Sequence, residues 1–276
     1  MTENDVKKYI SGLYDLSTIP VLLANIVRTC SNSKATPADV YNLISTDPAL
    51  GARVLRVANS VFYGRSGEIK NLYQAIMFLG FERIKSLALG MTVQQSFSSH
   101  ASITMTNLWI HSYEVAYCSS ILSPYFPQTV PGDCFLAGLL HDIGRIVFFG
   151  MSSAKFAKIE TTDSLLEQEA VEFGCTHTMA GAWLIESLGM PDELLTPVKY
   201  HHHPALDAAS GNIVAAVALA EALTFTFKAR PEDDGIWTEE LYAVLQQFAL
   251  TDKVLNRVGE QVKAARPEIE SMFSSQ

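Results

Sequence analysis

Between Phe135 and Gly150 the chain reads FLAGLLHDIGRIVFFG, an apolar run in which His141 and Asp142 stand side by side and Arg145 is the only other charge. A run this apolar belongs in a core, and a carboxylate carried there without a partner costs several kcal/mol or takes up a proton. Any fold the chain adopts must therefore bring this pair either a metal ion or a hydrogen-bond network. Adjacent residues on a helix point about 100° apart. His141 and Asp142 thus cannot chelate as an i, i+4 pair does, and further donors have to come from other helices.

The flanking sequence supplies those helices. Thr36-Pro37-Ala38-Asp39 has the pattern of a capping box with proline in the first turn, and Asp47-Pro48 repeats cap-then-proline before ALGARVLRVANS. There Leu50, Val54, Val57 and Ala58 recur at helical spacing, as do Leu22, Ile26 and Val27 earlier. No convincing strand alternation is found. Helices are expected over 17–31, 37–46, 48–59, 71–79, 81–97, 104–122, 133–149, 163–173, 177–188, 192–201, 211–228, 238–249 and 252–264. Breaks fall at GRSGEIKN, SPYFPQTVPGD, SLGMPDE and RPEDDGIW, none long enough to link independent domains. The expectation is an all-α fold with two lobes and a seam between residues 99 and 104.

Of the 276 residues 48% are apolar and 18% charged, a globular composition. The formal charge of −9, with no basic run to offset it, argues against direct nucleic-acid binding and against an anionic membrane surface. A phosphate-bearing ligand would need a local answer, from a metal, a helix N-terminus or individual basic residues. Cys30, Cys118, Cys134 and Cys175 form no CxxC pair, and MTENDVKKYISGLYDL lacks a signal core, so the thiols are expected reduced and buried in a cytoplasmic protein. Ile213–Phe227 is interrupted by Glu221 and shorter than the roughly 20 residues of a membrane span, so it reads as a core helix.

Six of the seven histidines fall in four places: His111 in NLWIHSYEVAYC, His141 beside Asp142, His177 in CTHTMAGAWLIESLGMP, and His201, His202 and His203 in KYHHHP. Imidazole and carboxylate suit divalent transition metals such as Fe, Mn, Zn or Ni, and a carboxylate among several histidines can bridge two ions. Each place also has a plainer reading. His111 alone could be a hydrogen-bonded core residue and the triplet a helix C-cap at the surface. The joint pattern favours a site. No GxSxG, Walker, GxGxxG or HExxH motif is present.

His111, His141-Asp142, His177 and His201-His202 in this order resemble the ligand series of the HD superfamily of metal-dependent phosphohydrolases, especially its HD-GYP branch. IPVLLANIVRTCSN, LISTDPALGARVLRVANSVFYG and LYQAIMFLGFERIKSLAL resemble the HDOD domain, a bacterial HD-related output domain, and the similarity runs on to VALAEAL. The resemblance implies an HDOD domain over 15–228, with an N-terminal helical lobe over 15–100 packed on an HD-like lobe over 101–228. Residues 229–276 would then be a C-terminal helical extension on the HD-like lobe. By position His111, His141 and Asp142 would bind a first metal, with Asp142 bridging, and His177, His201 and His202 a second. Tyr63 has a counterpart in the family and is expected to pack in the N-terminal lobe.

Three features depart from the enzymes of the superfamily. Glu221 stands where the last aspartate ligand is expected, and it could equally be a buried carboxylate satisfied by a histidine. Arg145 replaces the lysine after HDIG; it stays protonated near neutral pH and can clamp a phosphate but not serve as a general acid. No GYP segment follows HHHP. The resemblance therefore points to a signalling module that docks a protein partner and retains a site for one or two divalent ions, with little or no catalysis. The alternative is a phosphohydrolase acting on a nucleotide or phosphodiester. In that case Asp142 and Arg145 would be catalytic, with Lys199 a further charge for substrate. No receiver, kinase or cyclase segment accompanies these motifs, so a signal is expected to arrive by non-covalent contact.

Overall fold

The computed structural model describes residues 1–15, 21–30, 32, 34–59, 69–97, 102–159, 165–206, 211–227 and 237–273. His100, Tyr63 and the first part of the expected 99–104 seam, residues 99–101, lie outside them. Among the described residues every regular element is helical. In order these are α1 (Glu3–Asp15), α2 (Val21–Cys30), α3 (Pro37–Ser45), α4 (Pro48–Ala58), α5 (Leu72–Leu79), α6 (Phe81–Phe97), α7 (Ile103–Leu122), α8 (Pro131–Leu140), α9 (Ile143–Met151) and α10 (Ser153–Ile159). Then follow α11 (Leu165–Phe173), α12 (His177–Ser187), α13 (Asp192–Tyr200), α14 (Gly211–Thr226), α15 (Glu239–Gln247) and α16 (Asp252–Phe273).

The capping chemistry legible in the sequence is present. Thr36 and Asp39 form a reciprocal capping box at α3, and the Asp47 carboxylate accepts from Ala49 N at 2.8 Å and Leu50 N at 3.0 Å at the start of α4. α2 to α5 gather around α6, and α6 lies against α8, which joins this group to the helices that carry the histidines. α8 packs on α7, α13 and α14, and α9 packs on α12. α14, the former Ile213–Phe227 run, buries Val214 to Ala220 without a break. Pro131–Met151 is apolar enough by length and composition to cross a membrane, yet 78% of its most apolar window is buried inside the fold.

Three helical expectations are corrected. The single helix expected over 133–149 is two, broken at His141-Asp142, where Asp142 adopts φ −97° and ψ 14°. The N-terminal segment, which reads as polar, forms α1, because Val6 and Ile10 share one face and bury it against α9 and α12. α16 runs past 264 to Phe273 despite Pro267, since Leu255, Val258, Val262, Ala265 and Ile269 continue one buried stripe. α10 is a further short helix.

Two glycines set the distances between the histidine-bearing helices. A Cβ on Gly138 would stand 2.8 Å from Ala116 Cα, so its absence lets α8 close on α7. A Cβ on Gly144 would overlap the His177 carbonyl oxygen and stand 2.7 Å from Gly181 N, so its absence lets α9 close on α12. These close approaches carry His141 towards His111 and Asp142 towards His177.

Candidate metal centre

The break between α8 and α9 explains how two neighbouring residues face one site. Asp142 occupies the N-cap position of α9 but makes no capping hydrogen bond. Its carboxylate turns inward while staying near the positive end of the helix dipole. Oδ1 lies 3.1 Å from His177 Nε2 and 3.8 Å from His201 Nε2. Oδ2 lies 3.6 Å from His141 Nε2, 3.9 Å from His111 Nε2 and 3.3 Å from an Arg145 guanidinium nitrogen. The two oxygens thus face two separate groups of histidines.

The buried imidazoles are oriented from behind. His141 Nδ1 is 2.7 Å from Gly138 O, and His201 Nδ1 is 3.0 Å from Pro197 O and 3.1 Å from Val198 O. Backbone carbonyls only accept, so each Nδ1 carries a proton and each ring turns its Nε2 into the centre. His177 is held by Glu169, whose Oε2 is 2.8 Å from His177 Nδ1 and accepts from its backbone N–H at 2.8 Å. His177 Nε2 then sits 3.2 Å from the Nε2 atoms of both His201 and His202. Lone pairs this close need a cation between them, either a proton or a metal ion.

The electrostatics say which proton serves. Burial alone disfavours the His177 imidazolium, but Glu169 and Asp142 on its two sides overcome that and raise its pKa to about 10. Burial and the neighbouring imidazoles hold His201 well below its ordinary value; burial likewise lowers His202, against the pull of Glu221. His111 is lowered to about 4 by burial and by His141. Burial would raise Asp142, but His141, His177 and Arg145 keep it well below the usual carboxylate range. Asp142 is therefore held anionic and His111, His201 and His202 neutral, which is the donor state that divalent ions take.

A direct sign of fit is His141 Nε2, which is buried without a hydrogen-bond partner although it faces the cluster. Potential donor atoms fall into three overlapping groups within 4.8 Å: His177, His201 and His202; His111, His141 and Glu221; and His141, Asp142 and His201. Glu221 Oε2 stands 3.8 Å from His202 Nδ1 and 4.0 Å from His201 Nε2, so all seven expected donors come together. Two sequence features fall elsewhere. His203 is exposed and meets Glu240 at 3.3 Å, and the Lys199 ammonium lies over the Tyr200 ring.

Glu169 was not anticipated from the sequence. It lies in LLEQEAVEFG, which reads as a solvated acidic face, yet it is fully buried and bonded to His177 at the start of α12. The signal available was a glutamate eight positions before a candidate ligand.

Fold and site define an all-helical protein built around a histidine and carboxylate donor centre. The family model for the HDOD domain matches residues 16–204, and the chain belongs to that family. A curated Treponema pallidum (strain Nichols) protein, itself uncharacterized, is 22% identical over 195 residues, covering 68% of this chain and 38% of the relative. The chain thus spans well under half the length of that relative. Among solved structures, an HDOD domain protein of unknown function from Geobacter sulfurreducens is 20% identical with a TM-score of 0.73, covering 93% of this chain and 91% of that one. A candidate phosphohydrolase from Shewanella amazonensis SB2B is 22% identical with a TM-score of 0.71, covering 92% and 94%. A candidate signal transduction protein from Marinobacter aquaeolei VT8 is 22% identical with a TM-score of 0.69, covering 92% of this chain and 58% of that one. Likeness at this level of identity is a likeness of fold.

Proposed function

We propose that the chain is a bacterial, cytoplasmic regulatory module that holds one or two divalent transition-metal ions and has little or no turnover. The observation that carries this reading is the buried, unpartnered His141 Nε2 within converging donors that are already oriented. His111, His141 and Asp142 would hold a first ion, and His177, His201 and His202 a second, with Glu221 at the edge of both. Asp142 suits the bridging role because its two oxygens face different histidine groups. The ions would be Fe, Mn, Zn or Ni, the metals that imidazole and carboxylate serve. Cys118, Cys134 and Cys175 are free, in keeping with a reducing compartment.

In this reading residues 15–100 form the lobe that docks a protein partner, residues 101–228 form the HD-like lobe, and residues 229–276 are an extension upon it. The extension reading draws support from α16, which packs on α7 and α14.

The completeness of the donor set favours a second reading, a phosphohydrolase acting on a nucleotide or phosphodiester. A bound ion would supply Lewis acidity and lower the pKa of coordinated water towards ~7. Arg145 would hold a substrate oxygen and orient Asp142, which it already meets at 3.3 Å. Being permanently charged, it cannot donate the leaving-group proton.

The test is elemental analysis of untagged protein purified without chelator or oxygen. One or two equivalents of Fe, Mn, Zn or Ni per chain, reduced together with the melting temperature in Asp142→Ala, are expected. Less than about a tenth of an equivalent, unrepaired by added metal, would leave an inherited hydrogen-bond network.

A further inference from the structure

We propose that the groove between α7, α14 and α16 binds the nucleoside part of a nucleoside monophosphate whose phosphate reaches the metal centre. Its phosphate end rests on the metal-centre reading above; its nucleoside end does not. The groove encloses about 880 Å³, within the range of small-ligand sites. His111 belongs both to its lining and to the donor set, so the groove opens onto the centre.

Three features of the walls specify the ligand. Phe225 is 60% exposed with its ring centroid 6.1 Å from that of His111, and Ile103, on the same groove, is 75% exposed. An open aromatic face beside a polar centre is a platform for a planar ring. Deeper in, Glu114 is 3% exposed, and its Oε1 makes no hydrogen bond although Arg266 Nε lies 3.4 Å away. A buried acceptor of this kind is answered by a donor such as the N–H groups of a base. Thr106 and Asn107 add groups able to bond sugar hydroxyls.

The charge on the walls limits the phosphate count. Arg266 is the one cation among the described lining residues, and it is shared by Glu114 at 3.4 Å and Glu270 at 3.0 Å. Burial raises the Glu114 carboxyl to about 7, and Arg266 is already engaged by Glu270, so the described lining offers no spare cation for a second or third phosphate. The only strong site for an anion is then the metal end, which suits one phosphate. Arg266, Glu270 and Phe273 lie beyond residues 16–204, so this selectivity belongs to the chain rather than to the matched HDOD segment.

The experiment is calorimetry on the full chain, Mn(II)-loaded and metal-free, with manganese measured on each sample. The probes are the four ribonucleosides, their 5′-monophosphates and 5′-triphosphates, and inorganic phosphate. At least one nucleoside is expected to bind both forms of the protein. In the loaded protein its monophosphate should bind about tenfold or more tighter than inorganic phosphate and tighter than its triphosphate. Phe225→Ala, at an exposed position, should weaken nucleoside binding about tenfold with manganese content unchanged. No nucleoside binding, a triphosphate preference, or indifference to Phe225→Ala would overturn the proposal. Nucleoside binding that depends on Phe225 in a protein that takes up no manganese would sink the metal reading and leave the groove assignment standing.

Discussion

Glu169 holds His177 at two points, accepting from its backbone N–H and facing its Nδ1, each at 2.8 Å from the same carboxylate oxygen. One buried carboxylate on α11 thereby fixes where α12 begins and which ring nitrogen of its first residue faces the centre. Among the buried donor imidazoles, His177 alone has an anion rather than a backbone carbonyl behind it.

Replacing that anion by a neutral acceptor keeps the geometry and removes the charge. Glu169→Gln is expected to weaken metal binding about 10–100-fold with helix content unchanged. Competition against a chelator of known affinity measures it, and an unchanged affinity would show that Glu169 only packs.

The same charge makes stability depend on pH. With its folded pKa raised from 6.5 to about 10, His177 binds a proton more firmly in the folded chain than in the unfolded one. Its contribution is complete below pH ~6.5 and is lost as pH rises through ~10. Metal-free protein should therefore lose a few kcal/mol over that interval in urea titrations. Metal-loaded protein should show a shallower loss, because the ion has already displaced the proton. Equal slopes in the two forms would contradict the assignment of that proton.

Gly144→Ala tests the spacing of α9 and α12. The added methyl would overlap the His177 carbonyl oxygen, which is backbone and cannot swing aside. A loss of about 1–3 kcal/mol or more is expected in denaturant midpoints, together with lower metal content. A fully stable, fully loaded variant would mean that the helices adjust freely.

Glu221→Asp bears on the enzyme reading. If the enzyme reading holds, shortening this carboxylate to the aspartate that the sequence resemblance leads one to expect there should raise phosphodiesterase turnover of metal-loaded protein on a generic aryl phosphodiester. No gain at unchanged metal content would locate the obstacle elsewhere, with Arg145 the next position to vary.

How much of this was written in the sequence depended on whether the signal was local. Thr36 with Asp39, and Asp47 with Pro48, mark helix starts because a cap is satisfied within three residues. The donor histidines were legible as a series of residue types. The break at His141-Asp142 was not, because α8 and α9 are both apolar nearly all round and give no change of period where one ends. Glu169 was hidden for the opposite reason: its own helix carries the exposed Glu167, and the partner that answers Glu169, His177, lies on the next helix.

α16 has a reach that its position at one end of the chain conceals. Its Phe273 ring stacks edge-on against Tyr113 at 5.5 Å and shares a small cavity with Arg53, Arg56 and Met91 of α4 and α6, while Arg266 two turns earlier sits on the ligand groove. The helix therefore reaches both the α4–α6 cavity and the groove. Phe273 and Arg266 lie on one helix, so a displacement of α16 at the α4–α6 cavity would also move the wall of the groove.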